Sequence, residues 1–85
     1  MNIHEFIRAR PHLVWSTKNY DGLSAEAIVE ATLNYGSWED VQKLFKILGL
    51  KKVAKIFHAQ IQQKRTNYRA VVKHYFTLYF QAHAQ

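Results

Sequence analysis

Glu39 and Asp40 are the only adjacent carboxylates among six acids. A paired acid and base need environments that push their pKa values apart. These two instead follow Ser37 and precede Val41, Leu44, Phe45 and Leu48, which share one face of a helix. Acids in a first turn complement the helix dipole, and Ser37 with Asp40 makes a Ser-x-x-acid variant of the capping box. Capping therefore outweighs catalysis here. The five histidines are His4, His12, His58, His74 and His83, and no two are three or four residues apart. None thus pairs with another on a helix face in the manner of metal ligands. There is no Gly-rich phosphate loop, nucleophile elbow or Ser/His/Asp pattern. The expectation is a non-enzyme that needs no metal or cofactor.

The remaining chemistry is basic. Residues 1–36 carry three bases and four acids, whereas residues 37–85 carry nine bases and only Glu39 and Asp40. The net charge is +6, and no acid follows Asp40. Such a half suits nucleic acid or an acidic protein surface, or simply keeps a small protein solvated. Lys51, Lys52, Lys55, His58, Lys64 and Arg65 form the candidate nucleic-acid set. A helix-turn-helix over residues 38–61 would want a small residue four before the turn glycine, where Phe45 stands. The lysines suit phosphates better than base edges. Arg65, Arg69 and Lys73 repeat every four residues, and extending that stripe reaches Phe76 and Phe80. These five are the candidate partner-binding set. Phe76 and Phe80 either pack on Ile3, Phe6 and Ile7 or form a docking face for another protein or a second copy. A weaker option stacks this basic-aromatic surface on single-stranded nucleic acid.

The elements that position these residues are helical throughout. Asn2 caps a short helix over about 2–9, which Pro11 ends. Residues 12–15 make an apolar anchor, and 16–23, with Asp21-Gly22, read as a loop. Ser24 opens a central helix over about 25–35, and Ser37 opens the next over about 38–48. Gly36 and Gly49 are read as left-handed stops for these two. A fourth helix covers about 50–63, and a fifth covers about 67–83 with Thr66 or Asn67 as its cap. The broad apolar face of the last is expected at Tyr68, Val71, Val72, Tyr75, Leu78 and Tyr79. The fold class is all-α, a compact bundle of four main helices plus the short N-terminal one, forming one domain over 1–85. There is no cysteine, no signal-type apolar segment and no run near the roughly 20 residues that span a bilayer. The expected location is the cytoplasm, without membrane contact.

His12-Leu13-Val14-Trp15, the polar loop, and the run from Ile28 through Tyr35-Gly36-Ser37-Trp38-Glu39-Asp40 to Val41 carry a further pattern. Gly49, Asn67-Tyr68 and Tyr79-Phe80 complete it. Over residues 12–80 the chain resembles a family of small helical bacterial proteins of unassigned biochemistry. Genes of that family often lie beside abortive-infection-type nucleotidyltransferase toxins. The shared motifs are helix caps and core aromatics. Ser16 stands where an Asp commonly follows the entry Trp, so no acidic role carries over there. The resemblance implies a non-catalytic antitoxin or accessory subunit that binds a partner toxin through its basic and aromatic C-terminal half. The alternative is a small basic nucleic-acid binder, such as a transcriptional autoregulator. A homodimer through residues 68–80 is a third reading.

Overall fold

The computed structural model describes residues 2–14, 20–63 and 66–84. Five α-helices follow in chain order: α1 (Ile3–Arg8), α2 (Ala25–Tyr35), α3 (Trp38–Leu48), α4 (Leu50–Ile61) and α5 (Ala70–His83). Single 3₁₀ turns lie at Pro11–Leu13 and Tyr20–Gly22, and no strand occurs among the described residues. The all-α bundle read from the sequence is therefore the observed architecture. No helix among the described residues is long and apolar enough to cross a membrane.

Capping residues set the starts of the first three helices. Asn2 Oδ1 accepts from Glu5 N at 2.9 Å, and Glu5 Oε1 accepts from Asn2 N at 3.3 Å. Ser24 Oγ accepts from Ala27 N. The Ser37–Asp40 box closes in both directions, at 3.2 and 3.0 Å. Asp40 also receives Arg10 Nε at 2.7 Å. The same guanidinium lies 4.2 Å over the Phe6 ring and donates to the Phe6 carbonyl, so it ties the end of α1 to the start of α3. Arg8 similarly pins the second 3₁₀ turn through Asp21 at 2.6 Å.

The two glycines do different work. Gly49 has φ +90°, which favours glycine, and it alone joins α3 to α4. Gly36 is not the left-handed stop expected of it: its backbone is extended, at φ −75° and ψ 157°. Space is the reason for glycine there, because a Cβ would meet the Thr32 carbonyl oxygen at 2.7 Å.

α2 lies centrally, against α1, α3 and α4, and buries Ile28, Val29 and Leu33. Phe57 of α4 is wholly buried and is the aromatic centre of the C-terminal half. Its ring centroid lies 5.1 Å from Tyr68, 5.3 Å from Phe80 and 6.3 Å from Phe76. α5 therefore faces inward through Val72, Phe76 and Phe80; of the face expected, Tyr68 and Val72 are buried and Tyr79 packs partly against the core. Val71, Tyr75 and Leu78 of that expected face are exposed. A helix apolar nearly all round has no phase of its own, and contact with Phe57 and Phe45 selects the phenylalanines.

α4 ends before residue 63 and α5 begins after 67, so the break between them is longer than expected. Neither Thr66 nor Asn67 caps α5. The buried Asn34, on α2, does so from a distance: its Oδ1 accepts from Arg69 N at 3.1 Å, and its Nδ2 donates to the Asn67 carbonyl.

A candidate interaction surface on α4

Lys51, Lys52 and Lys55 are exposed on α4 and line a groove of about 690 Å³. Its opposite wall is Glu26 and Glu30 of α2, and Ile56 and Ala59 supply apolar lining. Three ion pairs form among the described residues, and none uses these lysines. Lys51 and Lys52 stand in the first turn of α4, which has no acid and no side-chain cap. Their charges add to the positive end of the helix dipole instead of offsetting it, an arrangement that favours an outside anion.

The groove has a fixed end. Gln60 Nε2 donates to the Glu26 carbonyl at 2.9 Å, and Gln60 Oε1 accepts from Tyr68 Oη at 2.6 Å. Burial, reinforced by the Glu30 charge, pushes the Tyr68 phenol well above its ordinary 10.0, so it stays a proton donor. Glu30 Oε1 accepts from Asn67 Nδ2 at 3.2 Å. Gln60 thereby holds α2, α4 and the segment before α5 together beneath the lysines. Sequence reasoning missed this wall, although Glu26 and Glu30 stand four apart on one helix and so share a face.

The other expected site residues divide. His58 is half-buried with its ring against Phe57 and Phe80, away from the groove lining. Lys64 and Arg65 lie outside the described residues. Arg69 is engaged internally: its Nη2 donates to the Asn34 carbonyl at 2.5 Å and its guanidinium lies 5.3 Å from the Tyr35 ring. Lys73 is exposed. Phe76 and Phe80 are 5% and 2% exposed, which corrects their reading as docking residues. The Phe57 ring packs against both and the Phe45 ring against Phe80, within the same core cluster as Phe6 and Ile7.

A second surface takes their place. Trp38 is 43% exposed and stands edge-on to Tyr75 and Tyr79, at 6.5 and 5.4 Å. With Val71 and Tyr75 it borders a shallow groove of about 420 Å³ between α3 and α5. No protein-family model, no curated protein and no solved structure matches this chain.

Proposed function

We propose that this protein is a non-catalytic accessory or antitoxin-type subunit of the cytoplasm, which holds a partner protein by an acidic surface. The resemblance makes that partner a nucleotidyltransferase-like toxin. The observation that carries the reading is the set of three lysines on α4, Lys51 and Lys52 in its uncapped first turn and Lys55 one turn on, which form no ion pair among the described residues. Glu26 and Glu30 across the groove give it a polarity. A partner with discrete charges seats its acids on the lysine side and a base against Glu26. Co-expression with the product of the adjacent gene tests this. A complex at micromolar concentration is expected, and Lys51→Glu with Lys55→Glu weakens it at least about tenfold. Absence of a complex, or indifference to the reversal, overturns the reading.

The second reading places the same lysines on nucleic-acid phosphates. The position of Lys51 and Lys52 in a helix first turn favours it, because backbone N–H groups and ammonium groups then act together. The glutamate wall opposes it, since a uniform polyanion meets repulsion there. Binding to a DNA or RNA duplex that falls steeply between 50 and 200 mM salt would establish it. Absent or salt-insensitive binding removes it.

A further inference from the structure

α5 is apolar on two sides. Its inner stripe, Val72, Phe76 and Phe80, is buried in the bundle. Its outer stripe is Val71, Tyr75, Leu78 and Ala82, with the first three 71%, 48% and 54% exposed. The outer spacing of four, three and four is that of a coiled-coil seam. Trp38 stands beside Tyr75 and widens the patch.

We propose that a second copy of this chain closes the seam, as a two-fold pair of antiparallel α5 helices. This surface is distinct from the lysine groove, and the inference does not depend on the function assigned to that groove. Charge selects the occupant. On a chain of net charge +6, the seam and the positions flanking it (Val72, His74, Tyr79 and Gln81) hold no Lys, Arg, Asp or Glu, and Arg69, the one cation lining the groove beside Val71 and Tyr75, is held by Asn34. Lys73 lies roughly half a turn away, by the 100° advance per residue of an α-helix. An acidic partner gains little here and is drawn to α4 instead. Two copies meet here without setting fixed like charges against each other.

Shape selects the direction. A spacing of four, three and four reads the same from either end. An antiparallel pair with its axis between positions 76 and 77 sets Tyr75 on Leu78 of the second copy and Val71 on Ala82 of the second copy. A parallel pair would stack Tyr75 on its own equivalent and leave two Ala82 side chains facing each other, so the seam would be wide in one layer and hollow in another. The antiparallel pair also sets the positive end of each helix dipole beside the negative end of the other. One helix seam covers less than the roughly 800 Å² per partner of a standard interface, so association is in the micromolar range.

The experiment is sedimentation velocity on the full chain from about 5 to 500 μM, together with a cysteine cross-link. The mass should rise with concentration from the 10.0 kDa of one chain toward that of two. Leu78→Glu should weaken the dimer at least about tenfold and leave the helical circular-dichroism signal unchanged, as its position is exposed. The chain has no cysteine, so cross-links report register cleanly. Val71→Cys and Ala82→Cys chains mixed one to one should form a disulfide on mild oxidation, and Val71→Cys alone should not, because its two copies lie roughly 16 Å apart along the axis. A strict monomer at every concentration, a dimer indifferent to Leu78→Glu, or cross-linking of Val71→Cys to itself overturns the proposal. A monomer that takes the adjacent gene's product on this face, with that complex lost in Leu78→Glu, also overturns it and gives the seam to a foreign protein.

Discussion

Asn34 and Arg69 hold each other reciprocally. The Asn34 side chain accepts from the Arg69 backbone N–H at 3.1 Å, and the Arg69 guanidinium donates back to the Asn34 carbonyl at 2.5 Å. A helix start leaves N–H groups without internal partners, and α5 has no side-chain cap of its own. Asn34 supplies one from α2. Removing it also strips the Asn67 carbonyl of its partner. Asn34→Ala should therefore destabilise by about 1–3 kcal/mol in urea denaturation. Asn34→Asp keeps the acceptor, loses the donor and should fall between. Equal stability of all three would show that the contact is incidental.

Asp40 makes stability depend on acid. Burial pushes its carboxyl upward, but the hydrogen bonds from Arg10 and Ser37 and the Arg10 charge outweigh that and leave it below its usual 3.8. The folded state then binds fewer protons than the unfolded chain. The stabilisation is fully present above the unfolded value and is lost as pH falls through the lower folded one. Asp40→Asn should be less stable than the parent at pH 7, and the gap should narrow below about pH 4. A gap that is constant with pH would sink this account.

The two faces of α5 should respond oppositely to truncation. Phe76→Ala and Phe80→Ala empty the core around Phe57 and should cost about 3–5 kcal/mol each. Val71→Ala, on the exposed face, should stay within about 0.5 kcal/mol in the dilute monomer. Thermal unfolding at low micromolar concentration separates the two cases. Similar losses at both positions would mean that the helix sits in another rotation.

Gly36 and Gly49 should both resist alanine, for different reasons. At Gly49, φ +90° with ψ 140° is strained for any L side chain, and Gly49→Ala should cost about 1–3 kcal/mol. At Gly36 the obstacle is the Thr32 carbonyl oxygen, 2.7 Å from the added carbon. Thr32→Ser removes only a methyl group and leaves that carbonyl in place, so it should not rescue Gly36→Ala. Rescue would show that side-chain crowding, and not the backbone, sets the limit.

How much of this was legible in the sequence follows from the range of each interaction. The limits of α2 and α3 were readable because Ser24, Ser37, Gly36 and Gly49 act on chain neighbours. The start of α5 was not, because its cap comes from Asn34, 35 residues earlier. The rotation of α5 was hidden by apolar residues on all its sides. The lysine side of the groove showed in the helical phase of α4. The wall of Glu26 and Glu30 did not, because it depends on how α2 packs on α4. Phe76 and Phe80 stayed open between packing and docking, because their burial depends on Phe57 and Phe45, residues far from them in the chain.

Arg10 reaches Asp40, and Arg69 reaches Asn34. Asn34 and Asp40 bound the short corner between α2 and α3, so both outer parts of the chain are latched to the same few residues. Neither part can fray without loosening that corner, and loosening the corner releases both together. Amide exchange in α1 and in the first turn of α5 should consequently rise in step whenever residues 34–40 are weakened, although the two helices lie at opposite ends of the sequence.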